Sequence, residues 1–148
     1  MQPLRKSLLP TVLGLLMIFT ASASASDKPD HLLTVMTSDS GATQTMALVL
    51  TSHYVKRGGS AQILLCDQAA ELALQAEPTE SEVYKPAPGS AHDLLGRVMK
   101  AGVGVEVCAI FLPNREADAD DLRDGIGVAR PDAIAEQMAD PNTRLFTH

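Results

Sequence analysis

AQILLC at residues 61–66 and VGVEVC at residues 103–108 are two short, mainly apolar runs that each end in a cysteine. Their length and aliphatic content are typical of buried β-strands. In open α/β sheets the chemistry lies at the carboxyl ends of the strands. Cys66 and Cys108 are the only cysteines of the chain, so the two runs predict sulfur or redox chemistry at that edge of a sheet.

Strand and helix patterns alternate on both sides of these runs. Strands separated by helices predict a parallel sheet that is covered on both faces. We therefore predict a single three-layer α/β/α domain with a parallel sheet of about five strands, a flavodoxin-like architecture. Further strand patterns lie at residues 31–37, 125–129 and 144–147, and helix patterns lie at residues 42–57, 67–75, 90–101 and 131–138.

Polar residues before three helix patterns are interpreted as N-caps. SDSG at residues 38–41 lacks both the Walker lysine and the GxGxxG spacing, so it is interpreted as a capping sequence rather than an anion site. Asp67 is predicted to cap the second helix, and Ser90, with Asp93 three residues later, the third. His53 falls on the apolar face of the first helix pattern and is predicted to be packed against the core.

The predicted domain spans residues 26–148, with a signal peptide before it and one long loop within it. Residues 1–25 have the form of a signal peptide, with a basic start, an apolar stretch and small residues that favour cleavage near Ala23 or Ala25. The apolar stretch is too short for a confident membrane span. We therefore expect a periplasmic or secreted protein with no stable membrane span after cleavage. Residues 76–89 are rich in proline and glutamate and are predicted to form a mobile loop.

Composition narrows the classes of partner. The formal net charge is −6, and loss of the basic signal peptide makes it more negative. This charge argues against nucleic acid and anionic membrane surfaces as partners. The chain contains no Trp, so stacking platforms for bases or sugars are not expected. No histidine pair has metal-ligand spacing and the cysteines do not form a CxxC motif, so we predict no metal and no cofactor.

The two cysteines leave several interpretations open. Helix N-terminal dipoles meet at the carboxyl edge of such a sheet and favour a reactive thiolate, yet a free cysteine is also a common small core residue. If the two strands are neighbours, Cys66 and Cys108 can approach disulfide distance. If another strand intervenes, they lie about 9–10 Å apart, which is too far to bridge.

Four stretches of the mature chain resemble the DsrE/DsrF-like sulfur-relay family, which includes TusD-like and YchN-like proteins. They are TVMTSDSGATQTMALVLTSHYVKRGG, AQILLCDQAAELAL, LLGRVMKAGVGVEVCAIFLPN and GIGVARPDAIAEQMADPNTRLFT. The resemblance is greatest to small exported members. It implies a parallel α/β/α sheet, homo-oligomers, and a persulfide-carrying cysteine after the third strand, which matches Cys108. Cys66 has no counterpart carried over from the cytoplasmic relay subunits, and the residues after Cys108 lack the family's basic loop.

The resemblance favours a sulfur carrier or a sulfurtransferase-like protein. In this hypothesis Cys108 holds sulfane sulfur as a persulfide, and Cys66 resolves it, pairs with it or stays structural. The partner is a sulfur donor or acceptor protein or a small sulfur compound. The alternative hypothesis is a non-catalytic oligomeric binding or assembly module with structural or disulfide-linked cysteines. A thiol-based metal or redox sensor is a third, weaker hypothesis.

Overall fold

The computed structural model describes residues 30–76 and 82–148. The predicted signal peptide, its cleavage site and part of the 76–89 loop lie outside these residues. The described chain contains five strands, three α-helices and three short 3₁₀ helices. The strands are β1 His31–Met36, β2 Ser60–Leu65, β3 Gly104–Val107, β4 Ile126–Val128 and β5 Thr143–Thr147. The helices are α1 Gly41–Lys56, α2 Ala91–Lys100 and α3 Pro131–Ala139, and the 3₁₀ helices are Asp67–Ala73, Leu112–Asn114 and Ala119–Asp121.

All five strands form one sheet in the order β4-β3-β2-β1-β5, and every pairing is parallel. The predicted α/β class is therefore confirmed. In this order β2 and β3 are neighbours, and Leu65 lies opposite Val107 in their register. The two strands that precede the cysteines thus end side by side.

Helices cover both faces of the sheet and make the predicted three layers. On one face, α1 and α2 pack against the larger core, where Leu48, Ile63, Leu65, Leu95 and Val107 are almost completely buried. On the other face, α3 packs through Ile134 against a smaller cluster that contains Leu33, Leu64 and Ala129. Alternate residues of each strand point to opposite faces, which divides the aliphatic side chains between the two clusters.

The prediction that His53 is packed against the core is wrong. The residues of α1 that face the sheet include Ala47, Leu48 and Thr51, whereas Met46, Leu50 and His53 are exposed. The buried stripe follows helical spacing but contains small and polar residues, so a pattern based on large apolar side chains selects the outer face instead. Thr51 is accommodated in the core because its hydroxyl hydrogen-bonds to that of Thr34 at 3.1 Å.

The predicted caps have mixed outcomes. Ser40 caps α1 through its side chain. Ser90 and Asp93 form a capping box at α2: Asp93 N–H donates to Ser90 Oγ at 3.2 Å, and Ser90 N–H donates to Asp93 Oδ2 at 3.1 Å. The Ser90 backbone N–H and the Ser90 hydroxyl, which donates at 3.0 Å, both hydrogen-bond to Asp93 Oδ2 and hold the pKa of Asp93 below its ordinary value. Asp67 is not a cap, because Cys66 occupies the N-cap position and Asp67 is the first residue of a 3₁₀ helix with a φ of 49°.

Candidate thiol–disulfide site

Cys66 and Cys108 are joined by a disulfide bond at the carboxyl ends of β2 and β3. Their Cα atoms are 5.1 Å apart, within the usual range for a disulfide of about 4.4–6.8 Å. Cys66 N–H donates to the carbonyl of Met36 and Cys108 N–H to that of Leu65, both at 2.8 Å. Each cysteine therefore continues the parallel ladder by one residue, which places the two Cα atoms opposite each other.

The disulfide is half-buried on the face of the sheet that α3 covers. Both cysteines pack against the cluster of Leu33, Leu64, Ala129 and Ile134. This apolar wall supports the two cysteines on one side, and each residue keeps part of its surface exposed. The disulfide therefore has a fixed position at a partly exposed edge of the sheet.

The chain turns sharply after each cysteine. Asp67 adopts a left-handed backbone conformation, which aspartate tolerates better than most residues. The carbonyl of Cys108 accepts a hydrogen bond from Phe111 N–H at 2.9 Å, which closes a turn there. Because both strands end in a turn, the cysteines lie at the rim of the sheet and not inside longer strands.

Arg115 connects the two segments that follow the cysteines. Its guanidinium forms an ion pair with Glu71 at 2.6 Å and donates to Gln68 Oε1 at 3.4 Å, and both acceptors belong to the 3₁₀ helix after Cys66. The same guanidinium lies 5.9 Å from the ring centre of Phe111. Arg115 thus holds the segment after Cys108 against the segment after Cys66, and it is half-exposed.

A polar chain lies on the same face of the sheet as the disulfide. Gln137 of α3 donates to Gln62 Oε1 at 2.9 Å, and Gln62 Nε2 donates to Glu106 Oε2 at 2.6 Å. Glu106 precedes Cys108 by two residues, so the two side chains share a face about 6–7 Å apart along the strand. Sequence reasoning missed this carboxylate, although the two-residue spacing before Cys108 was the signal for it.

The histidines contribute little to this site. His31 lies at the amino end of β1, where Nδ1 is 2.9 Å from Ser60 Oγ, so it occupies the edge opposite the cysteines. His148 packs edge-on against Phe146, which belongs to the α1 and α2 side of the sheet, and burial lowers the pKa of His148. Within residues 30–76 and 82–148, no cluster of three or more His, Cys, Asp or Glu could hold a metal ion.

The arrangement has a definite chemical capacity. A disulfide can be opened by a thiolate or hydrosulfide that attacks one sulfur and expels the other as a thiolate. The reverse process needs the two thiols to meet, and neighbouring strand ends keep Cys66 and Cys108 within reach.

Of the helices that the structure describes, none has the length and apolar character needed to cross a membrane.

Neither protein-family models nor curated proteins include a match to this chain. Two solved structures share its architecture. The crystal structure of YchN from E. coli matches with a TM-score of 0.62 and 14% sequence identity. The match spans 81% of this chain and 99% of the YchN chain. A protein of unknown function, MTH1491 from Methanobacterium thermoautotrophicum, has 10% identity and a TM-score of 0.60, with 80% of this chain and 99% of its own covered. The chain therefore shares the fold of YchN and MTH1491.

Proposed function

We propose that this protein handles sulfane sulfur through the Cys66–Cys108 pair, with Cys108 as the persulfide carrier and Cys66 as the resolving thiol. The observation that carries the proposal is the half-exposed disulfide between two neighbouring strand ends. The resemblance to sulfur-relay proteins supports the choice of Cys108 as carrier, because the persulfide cysteine of that family follows the third strand. The DsrE-like fold is in keeping with the same assignment.

The proposed cycle begins with the reduced pair. The Cys108 thiolate attacks the sulfane sulfur of a donor such as thiosulfate, the sulfur–sulfur bond of the donor breaks, and sulfite leaves with the bonding electrons. Cys108 then carries a persulfide. An acceptor thiolate can attack the outer sulfur, which transfers it and releases Cys108 as a thiolate.

Resolution by Cys66 is the second branch. The Cys66 thiolate attacks Cys108 Sγ, the bond to the outer sulfur breaks, and hydrosulfide leaves after taking up a proton. The two thiols are thereby oxidised to the disulfide, and the sulfane sulfur is reduced to sulfide. In reverse, hydrosulfide attacks Cys108 Sγ in the disulfide, Cys66 leaves as a thiolate, and a persulfide forms on Cys108 without a further oxidant.

The proposed setting is outside the cytoplasm, in the periplasm or the extracellular medium. The signal-peptide pattern of residues 1–25 is the basis for this placement. An oxidising compartment favours the disulfide. The partner in that setting is a small sulfur compound or an exported donor or acceptor protein.

Intact mass measurement tests the assignment of roles. We expect reduced Cys66→Ser protein, treated with thiosulfate or polysulfide, to gain the mass of one sulfur atom, which dithiothreitol then removes. Cys108→Ser is the matched control and should gain none, while the wild-type protein should release sulfide and form the disulfide. An unmodified Cys108 that still reacts with an alkylating reagent would refute the proposal.

A non-catalytic oligomeric module is the second candidate. The exposed apolar residues Met46, Leu50 and Ile110, which are 56%, 45% and 73% exposed, favour it because such surface is often covered by another subunit. In this case the disulfide is structural. Cys108→Ser would then lower the free energy of unfolding, and no sulfur adduct would form on either cysteine.

A further inference from the structure

A groove lies between α1 and α2 on the outer side of the domain, beside chain segment 84–88. Its volume is about 670 Å³, within the range of about 300–1,000 Å³ that is usual for small-molecule sites. Aliphatic side chains of both helices line it, among them Met46, Val49, Leu94 and Val98. Met46 is 56% exposed. The groove therefore presents apolar surface to solvent, outside the core that lies between the helices and the sheet.

The charged groups of the groove are all basic. Lys56, Lys85 and Arg97 line it together with His53, and none of its described lining residues is an aspartate or a glutamate. The whole chain has a net charge of −6, so the positive charge of this rim is opposite in sign to the net charge of the chain. Arg97 Nη2 donates to the carbonyl of Pro88 at 3.0 Å, which ties the guanidinium to the segment at the rim. Cations beside an apolar wall match a ligand with a hydrocarbon body and an anionic head.

Thr45 lies in the wall of this groove and has a hydroxyl without a hydrogen-bond partner among the residues that the structure describes. It is 5% exposed. A buried hydroxyl without a partner costs free energy. Because this hydroxyl has almost no accessible surface, a ligand atom becomes its partner only when the groove wall shifts on binding.

We propose that this groove binds a medium- or long-chain aliphatic carboxylate. The hydrocarbon chain lies on Met46, Val49 and Val98, and the carboxylate pairs with a cation of the rim. The wall of α1 from Met46 to Lys56 is about 15 Å long, which accommodates an extended acyl chain. The groove is on the opposite side of the sheet from the disulfide, so this binding site is separate from the proposed sulfur chemistry.

Calorimetric titration of the purified protein with decanoate tests the proposal. We expect one decanoate per chain, binding to neutral 1-decanol that is weaker by about tenfold or more, and no binding of acetate. Lys56→Glu, Lys85→Glu and Arg97→Glu are tested singly, and at least one should weaken decanoate binding by about tenfold. Lys100→Glu, on the same helix as Arg97 but outside the groove, is the matched control and should change the affinity by less than about twofold.

Three results would overturn the proposal. They are the absence of saturable decanoate binding to the wild-type protein, equal affinities for decanoate and 1-decanol, and a loss of affinity in Lys100→Glu as large as that in the rim variants. A fourth concerns self-association. If Met46→Lys dissociates an oligomer and neither form binds decanoate, the groove is occupied by a second copy of the chain and not by a carboxylate.

Discussion

Reduction of the Cys66–Cys108 disulfide should lower the free energy of unfolding by about 4 kcal/mol. The two cysteines are 42 residues apart in sequence. In the loop-closure treatment, a cross-link across a loop of that length removes about 13 cal/mol/K of entropy from the unfolded chain, which is about 4 kcal/mol near room temperature. A typical domain has a total stability of about 5–15 kcal/mol, so this change would be a large fraction of it.

Urea unfolding with and without dithiothreitol measures this difference. We expect the midpoint for the reduced protein to fall while the transition stays cooperative, because the core clusters on both faces of the sheet do not depend on the cross-link. A Cys66→Ser/Cys108→Ser variant is the control, and dithiothreitol should leave its midpoint unchanged. Equal midpoints for the oxidised and reduced wild-type protein would refute the reasoning, because the disulfide would then add no stability.

Four further predictions concern individual side chains. Asp67→Val should destabilise the protein by about 1–2 kcal/mol and Asp67→Gly should not, because the backbone there is left-handed; equal midpoints in urea would contradict this. Thr45→Val should raise the free energy of unfolding by about 1 kcal/mol and Thr51→Val should lower it, because only the hydroxyl of Thr51 has a hydrogen-bond partner. A change of the same sign in both variants would contradict this prediction. Ser90→Ala should cost about 1 kcal/mol in thermal unfolding. The lowered pKa of Asp93 means that its stabilising contribution is present above pH 3.8 and is lost as the pH falls below that value, which an NMR titration can follow.

The class of the fold followed from the alternation of strand and helix patterns. Hydrophobic runs such as 61–66 and 103–108 indicate strands, because a buried strand must consist mainly of apolar residues that are adjacent in the sequence. They do not show which strands are neighbours, because strand order depends on contacts between distant parts of the chain. The sequence therefore left the Cys66–Cys108 pairing open, and the order β4-β3-β2-β1-β5 resolves it.

The local errors have physical causes as well. The helical pattern of large apolar residues predicts that His53 lies in the core, but the face of α1 that packs on the sheet contains the smaller Ala47 and Thr51. Asp67 resembles an N-cap in sequence, but Cys66 still belongs to the extended chain and Asp67 makes the turn. The sequence alone does not single out Glu106, because its position near Cys108 depends on strand alternation and on glutamine partners from β2 and α3.

Transfer of labelled sulfur to Cys108 tests the central claim most directly. Reduced wild-type protein would be treated with thiosulfate that is isotopically labelled at the sulfane sulfur, alkylated at once and analysed by peptide mass spectrometry. The proposed function predicts the label as a persulfide on the peptide that contains Cys108, with labelled sulfide appearing as the Cys66–Cys108 disulfide forms. Label on neither cysteine, with both thiols alkylated in full, would contradict it.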